Sequence, residues 1–120
     1  MYDKIVQIAL LFDFYGQLLT KKQIEIVEMY YNNDLSLGEI SEQQGISRQG
    51  VYDTLKRAEN TLYEYEEKLG LVDRFLKQNE SMKKIIEMLG ELLSKEEADK
   101  HYIDDKIRSI IDYIDLSMKE

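Results

Sequence analysis

Not one proline occurs in the 120 residues of this chain. Proline removes a backbone donor and its ring clashes with the preceding turn, so it breaks helix interiors and is common in loops. A chain that does without it is expected to form long helices joined by short turns. The punctuation comes instead from six glycines and from Ser or Thr standing three residues before Glu or Gln, the spacing of a helix-opening capping box.

Read with that punctuation, the apolar residues fall at helical spacing. Ile5, Ile8, Ala9 and Phe12 define one face of a first helix over Tyr2 to about Phe14, with Gly16 as its stop. Thr20 and Gln23 form a capping box for a second helix from about Lys21 to Tyr31, whose buried stripe is Ile24, Val27 and Tyr31. Asn32, Asn33 and Asp34 end it with residues that favour turns. Ser36 and Glu39 open a short third helix that must stop near Gly45. Ser47 caps a fourth, carrying Val51, Leu55, Ala58 and Leu62 on one face and running on to Gly70.

Beyond Gly70 the pattern changes. Val72, Phe75, Asn79, Met82, Ile86, Leu89 and Leu93 alternate steps of three and four, the narrow seam of a helix pair or coiled coil. Asn79 either sits within that seam or, with Glu80 and Ser81, marks a break in the helix. Ser94 and Glu97 supply a third capping box for a last helix bearing Ile103, Ile107, Ile110, Ile114 and Met118. The two seams can face each other as a hairpin or face a second chain. The expected organisation is a helix-turn-helix domain over residues 1–70 and a C-terminal helical hairpin over 71–120 that mediates self-association.

A hydrophobic content of 43% supports a real core. The longest apolar run, Ile8 to Phe12, is far below the roughly 20 residues that span a bilayer, and no export signal is evident. The lack of cysteine removes disulfides, thiolate metal sites and thiol nucleophiles, which suits the cytoplasm.

The most informative stretch is residues 37–56. A helix-turn-helix needs a glycine turn, small or apolar residues where its helices touch, and a polar exposed face at the start of the second helix. Gly45 fits the turn, Ile40, Ile46, Val51 and Leu55 the contacts, and Ser41 the close approach. The exposed set is then Ser47, Arg48, Gln49, Tyr52, Asp53, Lys56 and Arg57. Arg48 and Gln49 have the fork geometry that matches guanine and adenine edges, whereas Lys56 and Arg57 suit phosphates. A plain bundle corner could have the same spacing, so residue identity matters.

Ser47-Arg48-Gln49-Gly50-Val51-Tyr52 resembles the start of the recognition helix in the fourth-region domain of bacterial sigma factors. Four segments in order, Leu11 to Tyr15, Leu18 to Gln23, Ser36 to Ile40 and Ser47 to Asp53, are similar to the YlxM family of Firmicutes-type bacteria. The resemblance covers about residues 10 to 70. It implies a sigma-like helix-turn-helix protein; beyond Gly70 periodicity alone adds a C-terminal helical extension, so that the expected fold is all-α throughout. The resemblance also implies a part in the signal recognition particle pathway, since such proteins are usually encoded beside that particle's GTPase.

Charge points the other way. The chain carries a net −8, while affinity for nucleic acid comes mainly from Lys and Arg displacing counterions. One module should therefore bind weakly, and a homodimer presenting two is the natural remedy.

Catalysis has little to stand on. His101 is a lone histidine in a polar helix, and Ser81 with Lys84 has a Ser-x-x-Lys spacing without any accompanying motif. The adjacent carboxylates Glu66-Glu67, Glu96-Glu97 and Asp104-Asp105 read as solvated charges, and there is no phosphate-binding glycine loop. Tyr30, Tyr31, Tyr63 and Tyr65 read as packing residues with wet hydroxyls, and Tyr52 as exposed.

The sequence thus predicts a non-enzymatic, cytoplasmic regulator without metal or cofactor. Its expected partners are DNA or the particle's RNA, the particle's GTPase and a second copy of the chain, with no membrane. The alternative is a protein-binding adaptor or modulator of the GTPase that makes no nucleic-acid contact.

Overall fold

The computed structural model describes residues 3–97 and 99–119. Among these residues six α-helices follow one another: α1 Lys4–Tyr15, α2 Lys21–Val27, α3 Leu37–Gln44, α4 Arg48–Leu69, α5 Leu71–Ser94 and α6 Lys100–Met118. There is no strand among the described residues. Two compact units divide the chain after Val72.

In the first unit α1, α2 and α3 all pack on α4. The reason lies on α4, whose Val51, Leu55, Ala58 and Leu62 recur on one face and are all buried. They meet a core that includes Ile26, Val27 and Ile40. The face of α1 is rotated from the expected one. Ile8, Leu11 and Tyr15 go inward, while Ile5 is 64% exposed and Ala9 also faces solvent. Tyr15 wins the inward position because its ring stacks on Tyr65 at 5.9 Å and its hydroxyl finds acceptors and donors at the far end of α4.

Helix α2 opens with the expected Thr20–Gln23 capping box but ends at Val27, sooner than periodicity suggests. Residues Glu28–Asn32 form a single wide π turn, closed by the Asn33 amide donating to the Glu28 carbonyl at 3.0 Å. Within α2 the core residues are Ile26 and Val27, while Ile24 is half-buried; beyond Val27 the extra residue shifts the helical phase, and Tyr31 is left half-buried, its hydroxyl turned to Glu59.

The corner between α4 and α5 is built around one phenol. The Tyr15 hydroxyl donates to Glu66 Oε1 at 2.6 Å and accepts from the Leu71 amide at 3.1 Å, and Glu66 Oε1 also accepts from the Val72 amide at 3.0 Å. Gly70 makes the turn with φ +63°, a left-handed conformation that side chains resist. Burial, reinforced by the bond to Glu66, raises the Tyr15 hydroxyl above its ordinary pKa. Glu66 is therefore a structural acceptor rather than a solvated charge.

In the second unit α5 runs unbroken through Asn79, Glu80 and Ser81. The seam read from the sequence is on its outside. Met82 is 61% exposed, Ile86 67% and Leu93 86%, whereas Ile85, Met88 and Leu92 are half-buried. On α6, Ile110 is buried and Ile103 and Ile114 are half-buried, while Ile107 and Met118 face solvent. The cap of α6 is Asp99, whose carboxylate accepts from the Tyr102 amide at 2.7 Å, and not Ser94 with Glu97. The Ser94 hydroxyl instead donates to the Glu91 carbonyl. Glu91 and Lys106 form an ion pair at 2.6 Å, and Lys95 lies over the Tyr102 ring at 4.8 Å. That pair holds the Glu91 carboxyl below its usual range.

Candidate nucleic-acid interface

Helices α3 and α4 meet through a turn whose every part has a local cause. The Ser36 hydroxyl accepts from the Glu39 amide and the Glu39 carboxylate from the Ser36 amide, both at 3.1 Å, which starts α3. These bonds hold the Glu39 carboxyl below its ordinary range. Gly45 ends α3 at φ +67°, its amide donating to the Ser41 carbonyl. Ser41 then closes the turn by donating its hydroxyl to the Ile46 carbonyl. Ser47 starts α4 by accepting from the Gly50 amide at 2.9 Å.

This leaves one side of α4 locked and the other open. Val51 and Leu55 are buried with Ile40, so the opposite face must look outward. Ser47, Arg48, Gln49, Tyr52, Asp53 and Arg57 are all exposed, and Tyr52 shows 45% of its surface. The predicted set thus lies together on the first turns of α4.

Its members differ in readiness. The Gln49 amide donates to the Asp53 carboxylate at 2.9 Å, one turn along the helix. The Arg48 guanidinium lies across Gly38 of α3, so close that a Cβ there would stand 3.1 to 3.2 Å from it. A side chain at Gly38 would require the Arg48 guanidinium to shift by a few tenths of an ångström. Lys56 is only half-exposed. Its ammonium sits 5.6 Å from the centre of the Tyr52 ring and 3.8 Å from Glu59.

Glu59 is the feature the sequence concealed. It is buried, and it pairs with Lys4 at 3.0 Å and accepts from the Tyr31 hydroxyl at 3.0 Å. A buried carboxylate is tolerable only with such partners. Its hydrogen bond holds the Lys4 ammonium above the ordinary lysine range, and burial together with the same carboxylate raises the Tyr31 hydroxyl. Because Glu59 is enclosed among these groups, its charge is compensated beneath the outer face of α4.

His101 is exposed and lies 3.2 Å from Asp105. Among the described residues no group of three or more His, Asp or Glu side chains is placed to hold a metal, and no helix is long and apolar enough to cross a membrane.

Comparison with known proteins agrees with this geometry. Residues 2–106 match the family UPF0122, described as "Putative helix-turn-helix protein, YlxM / p13 like". A UPF0122 protein of Acetivibrio thermocellus is 63% identical over 76 residues, covering 63% of this chain and 65% of that protein. One from Thermoanaerobacter sp. strain X514 is 60% identical over 94 residues, covering 76% of this chain and 80% of its own length. A Bacillus cereus strain AH187 relative is 40% identical over 115 residues, 96% of this chain and 97% of that protein. With an all-α fold, a capped helix-turn-helix and a match along most of its length, the chain belongs to the UPF0122 family of YlxM/p13-like helix-turn-helix proteins.

Proposed function

We propose that the protein is a cytoplasmic, nucleic-acid-binding regulator that acts as a homodimer and takes part in the signal recognition particle pathway. The observation that carries this reading is the exposure of Arg48, Gln49 and Tyr52 on the first turns of α4, while Val51 and Leu55 hold that helix in the core. Arg48 and Gln49 are the base-reading residues, with Ser47 and Tyr52 beside them, and Arg57 and Lys56 meet phosphates. Lys56 must leave Tyr52 and Glu59 to do so, which makes it the weaker contributor of the two.

The net charge of −8 favours a second reading, in which the same scaffold is an adaptor that meets the particle's GTPase through an acidic face. A salt titration against duplex DNA, the particle's RNA and the GTPase separates the two. On the first reading, binding to nucleic acid weakens with salt at a slope set by about three to five phosphate contacts per module. Binding to the GTPase alone, at low and moderate salt alike, would establish the adaptor and remove the nucleic-acid role.

A further inference from the structure

We propose that α5 pairs with α5 of a second copy of this chain as a parallel two-stranded coiled coil, in register at Asn79. This gives a form to the dimer of the preceding section and rests on that part of it.

The argument starts from which side of α5 is already used. Ile85, Met88 and Leu92 are half-buried within the unit, but Met82, Ile86, Leu89 and Leu93 are exposed. At 100° per residue the exposed line lies about a quarter-turn round the helix from the covered one. Covering one face therefore leaves the other open.

The exposed line is not merely apolar. It has the seven-residue register of a coiled-coil core, with Val72, Asn79, Ile86 and Leu93 at one core position and Phe75, Met82 and Leu89 at the other. Val72 is buried in the first unit, so pairing begins at Asn79 and continues through Met82, Ile86, Leu89 and Leu93. Ile86 at the first position and Leu89 at the second is the combination that favours two strands. Asn79 adds direction. A single asparagine in the first position is satisfied by its own counterpart, which a parallel, in-register pair supplies and a slipped or antiparallel one does not.

Charge allows the approach. The chain as a whole carries −8, but Leu71–Ser94 holds four basic and four acidic residues, so the helix brings no net repulsion to its copy. In the parallel register Gln78 faces Lys83 of the other copy and Ile85 faces its Gly90, so no like charges are opposed. Gly90 has nothing within 4 Å of where a Cβ would be, which leaves space for that close passage. A membrane is a poorer occupant, because an interfacial helix relies on an excess of Lys and Arg that α5 lacks.

The test uses the full-length chain, which has no native cysteine to interfere. Sedimentation equilibrium at about 50 µM, a concentration at which a micromolar dimer is mostly formed, should show a dimer. Ile86→Asp should weaken it about 100-fold or more by placing a charge in the seam. Circular dichroism should show its helix content unchanged, since Ile86 is exposed in the single chain. Asn79→Cys and Leu93→Cys, made separately, should each form a disulfide between identical positions, because both lie within bonding range only in a parallel, in-register pair. A dimer that cross-links at neither or only one of these positions, or that survives Ile86→Asp, overturns the coiled coil and leaves the dimer reading standing. A wild-type monomer overturns both. None of these assays contains nucleic acid, so their results are independent of that activity.

Discussion

Helices of similar character enclose very different amounts of core in the two units. Twelve apolar side chains of the first unit, from Ile8 to Val72, are buried, against Ile110 alone among the described residues of the second. The first unit can close its core because three helices converge on α4. The second has two long helices, and two cylinders cannot cover each other's full apolar width. Met82, Ile86, Leu93, Ile107, Ile111 and Met118 remain outside as a result. A buried stripe tells how a chain holds itself together. An exposed one of this extent is where the proposed second copy would be held.

The largest test of this contrast is in stability. Ile40→Ala removes a fully buried side chain and should cost about 2–5 kcal/mol in urea unfolding. Leu116→Ala, at a site 64% exposed, should shift stability by less than about 0.5 kcal/mol. Equal costs would break the division into a closed core and an open face.

Arg48→Ala sharpens it within the first unit, by separating surface from core. It should weaken nucleic-acid binding by about 1–3 kcal/mol while leaving the melting curve unchanged. Arg57→Ala should instead lower affinity for all sequences and reduce the salt slope by about one. Unchanged affinity for Arg48→Ala would remove the recognition face.

Two glycines give smaller effects of opposite sign. Gly45 has φ +67° and open space where a Cβ would go, so Gly45→Val pays only for its backbone, about 1–3 kcal/mol of lost stability. Gly90 has equal space but lies inside α5. There Gly90→Ala should raise the melting temperature of the single chain, measured at concentrations too low for pairing, by an amount corresponding to about 0.5–1 kcal/mol, since in the proposed pair its Cβ would meet Ile85 of the other copy.

The smallest expected effect is with pH. The Lys4 and Tyr31 pKa values are both raised in the folded first unit, from ordinary values of 10.5 and 10.0. The stabilisation they report is fully present below those values and is lost as pH rises through the higher folded ones. Melting temperature should therefore be flat across neutral pH and fall above about pH 10. The side chain of Lys4 is half-exposed, which keeps its share modest. Glu59→Gln should flatten that alkaline slope, and an unaltered slope would dissociate it from this network.

What could be read from the sequence was what neighbours in the chain decide. The Thr20–Gln23 and Ser36–Glu39 boxes, the Ser47 cap and the left-handed Gly45 each involve residues within one turn of each other. The helix-turn-helix followed from these, and with it the open face of α4. The missed features join distant residues. Glu59 is met by Lys4 and Tyr31, Glu66 by Tyr15, and Arg48 by Gly38. Periodicity assigns a face but cannot distinguish a carboxylate in water from one enclosed by partners. It also could not say which line on α5 is covered within the chain, because Ile85, Met88 and Leu92 and the seam beside them are both helically spaced, and only the position of α6 decides. The wide turn at Glu28–Asn32 had no local signal, as its extra residue serves contacts made elsewhere.

The phenol at the α4–α5 corner bears on how fast protons are traded with solvent. The leading amides of a helix have no partner within it and ordinarily exchange almost as freely as those of an unfolded chain. In α5 the first two, Leu71 and Val72, donate to the Tyr15 hydroxyl and the Glu66 carboxylate. Their deuterium uptake should therefore be slow, tied to opening of the first unit's core, whereas amides further along the exposed helix exchange sooner. Tyr15→Phe would free the Leu71 amide while leaving Val72 bonded to Glu66, so two adjacent sites that began together should part in rate.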